Sequence, residues 1–442
     1  MKLKNLLSLL FLAPVLLVAQ HSIKATFTPA DHFNWAILYQ VSPTKNNFVA
    51  QAKISEGKIE FLLDSSETKG MYKLVYAAPQ DEYNFDIIYS GEEDIELSFN
   101  IETGAVFQKS SENILLNSYL TAQASKGDEI EQFYVEQNKD TLKLLSLFQN
   151  QSAIQKEYEE KSTNMIAYHF IKANKPYIPK NYEDPDTYIN NLTINYFTNI
   201  DFKETVLQSS SFLVDRSIAY ILGVLHSGKD KIGSYKTNID MVFSLLGGTE
   251  ANYQKAFLEN LWQKLVNYNL IDTANYLATS YLIPIALKLN DEALVEKLSQ
   301  FKSLSIGNVA PDFSWEVKKN GTIKTQKLSA LALAENYILV FWSSSCSHCL
   351  EEIPKLNLYT QSLEKTKYKV IAVGLEEDRI KWEKEIIKYP NFINVLRLNK
   401  WENEIIKSYG LVTTPTYFVL DKDKRFLAKP ENFEALKLYL EK

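Results

Sequence analysis

The chain has 442 residues, a formal net charge of −6 and only two cysteines. This length suits two or three domains, and the acidic balance argues against nucleic acid or an anionic membrane as a main partner. Two cysteines exclude a disulfide-rich scaffold.

Residues 1–19 read as a cleaved secretory signal. Lys2 and Lys4 precede an apolar run from Leu6 to Val18, broken by Pro14, and Leu17-Val-Ala19 offers a small-residue cleavage site before Gln20. The apolar run falls short of the roughly 20 residues that span a bilayer. The expectation is a periplasmic protein without a stable membrane anchor.

Residues 20–107 read as short strands divided by turns, at Trp35–Val41, Lys58–Leu62, Met71–Tyr76, Phe85–Tyr89 and Ile95–Phe99, with turns at Ser55-Glu-Gly57 and Ser90-Gly-Glu92. This spacing predicts an antiparallel β-sandwich. From residue 108 to 304 the period becomes helical, at Asn113–Leu120, Leu142–Phe148, Ser217–Leu225, Tyr253–Leu265 and Leu277–Leu287. Pro176, Pro179 and Pro185 are expected to break this all-α region. Its aromatic residues are read as core. His21, His32, His169 and His226 are scattered without ligand spacing.

The chemistry concentrates in residues 305–442. Tyr337-Ile-Leu-Val-Phe-Trp342 is an apolar, buried-strand run. Cys346-Ser-His-Cys349 follows, and then Leu350, Ile353, Leu356 and Leu363 at helical spacing. A cysteine at a helix start faces unpaired N–H groups and the positive end of the helix dipole, which stabilise a thiolate. A second cysteine one turn on can resolve a mixed disulfide. A structural zinc site wants four ligands, and only His348 accompanies the cysteines. A purely structural disulfide across so short a loop constrains the unfolded chain little.

Around this pair stand Ala310-Pro-Asp-Phe313, Phe341-Trp342, Pro354 in the following helix, Tyr368-Lys-Val-Ile-Ala-Val-Gly374 and Val412-Thr-Thr-Pro-Thr-Tyr-Phe-Val-Leu-Asp421. These residues resemble the thioredoxin superfamily, most closely the exported TlpA/ResA-like thiol:disulfide oxidoreductases. The β segment likewise resembles the N-terminal domain that precedes thioredoxin modules in exported Bacteroidetes proteins. The resemblance implies a multidomain chain ending in an α/β thioredoxin fold. It also implies a protein-disulfide oxidoreductase, read as a reductase with an oxidase or isomerase as the other direction, with Cys346 as nucleophile, Cys349 as resolving thiol, and Trp342, Thr414 and a cis Pro415 facing the substrate.

Val340 stands where thioredoxin has a buried aspartate, and Glu352 matches a helix glutamate that ResA-like proteins use near the active site. Glu352 could accept the Cys349 proton, or it is a solvated helix-face carboxylate beside Glu351. His348 could stabilise the Cys346 thiolate and raise the reduction potential. No cofactor or metal is expected. The implied partners are protein thiols and disulfides of the cell envelope, with a membrane electron donor to recharge the pair. Two rivals remain. A peroxidase of the peroxiredoxin kind would carry Pro and Thr where this chain has Leu339 and Ser343. A binding protein would use the thioredoxin fold as scaffold only, with no need of a nucleophilic thiol.

Overall fold

The computed structural model describes residues 21–64, 66–319, 321–364 and 366–442; the expected signal segment 1–19 lies outside them. Among the described residues no helix is long and apolar enough to cross a membrane. The chain divides into two compact units, one running to Leu277 and the other spanning Ala278–Lys442.

The first unit opens with eight strands: β1 (Ser22–Thr28), β2 (Trp35–Ser42), β3 (Lys45–Lys53), β4 (Lys58–Leu62), β5 (Gly70–Val75), β6 (Asn84–Tyr89), β7 (Ile95–Asn100) and β8 (Gly104–Lys109). They form two four-stranded sheets, ordered β4-β1-β7-β8 and β3-β2-β5-β6. Alternate residues of β1 and β4 are buried, as expected of strands with one wet face. Phe27, Phe33, Tyr76 and Phe99 make the aromatic centre, with Tyr76 and Phe99 ring centroids 4.6 Å apart. The pairing is antiparallel apart from β1 and β7, which run parallel.

Helices follow: α1 (Ser111–Val135), α2 (Thr141–Lys161), α3 (Ala167–Ala173), α4 (Pro185–Ile194), α5 (Thr205–Gln208), α6 (Phe212–Gly223), α7 (Lys231–Leu245), α8 (Ala251–Asn267) and α9 (Ile271–Leu277). The helices break between α3 and α4, the segment that holds Pro176 and Pro179, and Pro185 starts α4, where a missing N–H costs nothing and Asp184 caps the turn. Glu112 of α1 is buried and caps the start of α3, accepting from Ile166 N at 3.0 Å and Ala167 N at 2.8 Å.

The edge of the second sheet is closed by a side chain. Asn113 of α1 accepts from Ile88 N at 2.9 Å and donates to Ile88 O at 2.7 Å, doing for β6 what another strand would do.

The second unit begins with a π-helical turn (Ala278–Leu282), α10 (Ile283–Lys288) and α11 (Glu292–Ser303). The helix expected over Leu277–Leu287 is thus interrupted, because Pro284 has no N–H to give to the preceding turn. A hairpin comes next, β9 (Ser314–Lys319), whose Trp315 is buried, and the exposed β10 (Thr322–Lys327). The main sheet is built from β11 (Asn336–Trp342), β12 (Tyr368–Glu376), β13 (Ile393–Leu398), β14 (Thr416–Asp421) and β15 (Phe426–Ala428) in the order β13-β12-β11-β14-β15. β11, β12 and β13 are parallel, and β14 and β15 antiparallel.

Helices α12 (Ser347–Gln361), α13 (Arg379–Ile386), α14 (Glu404–Tyr409) and α15 (Phe433–Leu440) complete the unit. β11 is buried on both faces. Tyr337, Leu339 and Phe341 enter one core, and Ile338, Val340 and Trp342 the other. Helix α11 belongs with this unit: Leu304 enters the first core and Lys407 pairs with Glu296. The opening Ala310-Pro-Asp-Phe313 is tied down by Asp312, which accepts from Ser329 N at 2.9 Å and Ser329 Oγ at 2.7 Å. At Gly374 of β12 the indole of Trp382 lies directly against the backbone, so no side chain fits there.

Replacing Asn113 by Ala leaves a buried N–H and C=O of β6 without their partner, so Asn113→Ala should lose about 1–3 kcal/mol of stability. Urea unfolding of the full chain is the measurement.

Candidate active site

The end of β11 and the start of α12 bring the thiols together. Cys346 is the N-cap of α12, with extended backbone angles (φ −96°, ψ 121°), and its Sγ accepts from Cys349 N at 3.4 Å. The sulfur occupies the place usually taken by a serine or aspartate oxygen. Both cysteines are free thiols; Cys346 is partly exposed and Cys349 is buried at 0% exposure.

Opposite lies the loop before β14. The Thr414–Pro415 peptide is cis. The Cys346 thiol donates to the Thr414 carbonyl oxygen at 3.3 Å. Thr414 and Pro415 are therefore beside the sulfur although 68 residues separate Thr414 from it in sequence.

The two thiols differ in acidity. Partial burial opposes the Cys346 thiolate, but hydrogen bonds from the Cys349 and Thr414 side chains and from the backbone N–H groups of Cys349 and His348 outweigh it, and its pKa falls below the usual thiol value. Burial, helped by the neighbouring Cys346, pushes Cys349 up to about 12. One sulfur is poised to attack and the other is held protonated.

His348 is exposed, and its contribution to the Cys346 thiolate comes through its backbone N–H. Glu352 is not a free helix-face carboxylate. Its Oε2 accepts from Tyr417 Oη at 2.9 Å and from Phe433 N at 3.1 Å. The Tyr417 phenol is raised strongly, by burial first and then by Glu352; Tyr417 and Cys349 belong to the same core.

Trp342 corrects the expectation of a substrate-facing indole. It is fully buried, with its ring edge-on to Tyr389 at 6.0 Å, so it supports the core under the site and cannot touch a substrate. The exposed apolar side chains of these segments are instead Val412 at 84%, Trp401 at 44% and Leu350 at 40%.

A second carboxylate was not anticipated. Glu376, the last residue of β12, accepts from Ser344 N at 2.6 Å and from Ser344 Oγ at 2.8 Å. In sequence Glu376-Glu377 looks like an ordinary solvated turn after an apolar strand, and nothing local marks one of the two as buried. Among the described residues no cluster of three or more His, Cys, Asp and Glu side chains is arranged to hold a metal.

Residues 306–427 match the AhpC/TSA family. The thiol-disulfide oxidoreductase ResA of Bacillus cereus is 29% identical over 148 residues, covering 33% of this chain and 82% of that protein. The C-terminal domain is thioredoxin-like, with ResA-type thiol-disulfide oxidoreductases as relatives. A solved domain of a possible thiol-disulfide isomerase from Cytophaga hutchinsonii is 31% identical to this thioredoxin-like domain, covers 31% of the chain and 91% of its own, and has a TM-score of 0.27. A thioredoxin-like protein from Bacteroides caccae reaches beyond the domain, over 60% of this chain and 96% of its own, at 19% identity and a TM-score of 0.32.

The acidity difference predicts a selective reaction. Because only thiolate alkylates, the rate at Cys346 should rise with pH through a midpoint below that of an ordinary thiol, while Cys349 stays unlabelled at neutral pH. Mass spectrometry after brief iodoacetamide treatment at pH 7 should find one label, on Cys346.

Proposed function

We propose that this chain is an exported thiol-disulfide oxidoreductase that reduces disulfides of cell-envelope proteins through Cys346-Ser-His-Cys349. The observation that carries the reading is the pairing of an accessible, acidified Cys346 with a buried, protonated Cys349, beside the Thr414 carbonyl.

The Cys346 thiolate attacks one sulfur of a partner disulfide. A bond forms between Cys346 and the partner, and the partner's other sulfur leaves as a thiolate and takes a proton. The partner's extended segment is held along Thr414. Cys349 then loses its proton, attacks Cys346 Sγ and displaces the second partner thiolate, leaving a Cys346–Cys349 disulfide. Two electrons pass from the dithiol to the partner. A membrane-bound dithiol donor returns them for the next cycle.

Cys349 resolves poorly at neutral pH unless a base removes its proton. Glu352, oriented by Tyr417 Oη and Phe433 N, fits that role. Export rests on the segment from Lys2 to Ala19. The peroxidase alternative has no separate support in the site. Ser343, where that chemistry wants threonine, is fully buried with its hydroxyl 3.4 Å from Glu376 Oε2.

Reduction of insulin by dithiothreitol tests the proposal. The wild-type chain should accelerate it and Cys346→Ser should abolish the acceleration, whereas equal activity in Cys346→Ser would sink the reading. Cys349→Ser should accumulate a mixed disulfide with insulin, visible on non-reducing gels.

Glu352→Gln separates the two steps. Alkylation of Cys346 should be unchanged, while decay of the mixed disulfide at pH 7, followed by quenched flow, should slow by roughly 10²-fold. Unchanged decay would remove Glu352 from the mechanism.

A further inference from the structure

We propose that Glu376 is a positioning residue for the oxidoreductase chemistry: together with Lys400 it clamps the loop Ser343–Ser345 and so holds Cys346 at the N-cap of α12. The inference rests on the dithiol reading above and extends it to residues outside the Cys346-Ser-His-Cys349 motif and the Thr414-Pro415 loop.

Glu376 is 2% exposed, and a buried carboxylate is costly unless its oxygens are satisfied. They are satisfied by one loop. Oε1 accepts from Ser344 N at 2.6 Å, and Oε2 from Ser344 Oγ at 2.8 Å and Ser343 Oγ at 3.4 Å. The same loop is closed inside itself, with Ser343 Oγ 3.0 Å from Ser345 Oγ, and Cys346 N donating to Ser343 O at 3.1 Å. The backbone turn fixed by Glu376 is thus the one that hands the chain to Cys346.

Lys400 holds the loop from outside. It lies on the short 3-10 turn Lys400–Glu402 and donates from Nζ to Ser345 Oγ at 3.3 Å. Asn399 and Lys400 both take positive φ, 64° and 30°, a costly backbone choice for residues other than glycine. Burial raises the Glu376 carboxyl, opposed by its serine hydrogen bonds and by the Lys400 charge. An apolar residue at the end of β12 would fill this space at less cost. The carboxylate has a reason to be here if its hydrogen bonds set the loop.

A loop released from this clamp lets Cys346 leave the N-cap, where it gains the Cys349 and His348 N–H groups. Its thiolate then loses stabilisation. The charged and titratable groups around Cys346 are His348 and Cys349 on its own helix, Lys400 on the 3-10 turn, Glu376 on β12, and the Glu352–Tyr417 pair beside Cys349.

The experiment is the pH profile of Cys346 alkylation by iodoacetamide in the full-length chain, with circular dichroism to verify folding. In Glu376→Ala the midpoint should move up by about one pH unit, read as roughly tenfold slower alkylation below it. Glu376→Gln, which keeps an oxygen for Ser344 N, should restore the wild-type midpoint. A folded Glu376→Ala with an unshifted profile overturns the proposal. So does a downward shift shared by Glu376→Ala and Glu376→Gln, since loss of a negative charge near the thiolate and not release of the clamp would then be acting.

Should Glu376→Ala fail to fold, the double variant Ser344→Ala/Ser345→Ala, which removes the hydroxyl partners of Glu376 and Lys400 without changing charge, decides. It removes side-chain bonds only and should shift the midpoint upward by less; no shift overturns the proposal. The dithiol reading fails on a different result, a wild-type chain that does not reduce insulin, which leaves the alkylation comparison intact.

Discussion

The structure of this site depends on the unsatisfied N–H groups at the start of α12. They are fixed in space by the helix, they cannot be paired within it, and the chain gives them a sulfur in place of an oxygen. A helix start of this kind can stabilise one anion at its cap. Cys346 takes that place, and Cys349, one turn in, is inside the core beside Ile353 and Leu356. The asymmetry of the two thiols therefore follows from helix geometry and burial together, and His348 enters through its backbone and not its ring.

Several groups around the pair are delivered by the sheet. β11 is the central strand, covered on both faces, and it places the loop Ser343–Ser345 where the parallel strands end. β12 ends beside it and contributes Glu376, and β14 begins beside it and contributes Thr414 and Pro415. Tyr417, one residue into β14, reaches Glu352 on α12. Two carboxylates thus stand near the dithiol with different partners. Glu352 is held by Tyr417 Oη and Phe433 N, and Glu376 accepts from the backbone and hydroxyls before Cys346.

The first unit is organised by similar physics with no thiol chemistry. Buried polar side chains do joints there: Asn113 finishes a sheet edge and Glu112 caps a helix. These are places where a helix can meet a strand or another helix without leaving backbone groups dry.

The sequence by itself determined the β, helical and α/β segments in order, because their periods of two, three to four and apolar runs are local properties. It also determined the cysteine pair and the Thr414-Pro415 loop, whose residue types are distinctive in a short window. Strands β1, β3 and β8 were not legible, since β3 and β8 are mostly exposed and carry little alternation, and β1 lies against the signal-like segment in sequence. The parallel pairing of β1 with β7 was equally hidden, because register and direction are set by partners far along the chain. At the site, only tertiary structure decided that Trp342 is core, that Glu352 is bound to Tyr417, and that Glu376 faces the loop before Cys346 while Glu377 is exposed. Whether a carboxylate or an indole is buried depends on which strand ends beside it, and that information is not carried by its neighbours in sequence.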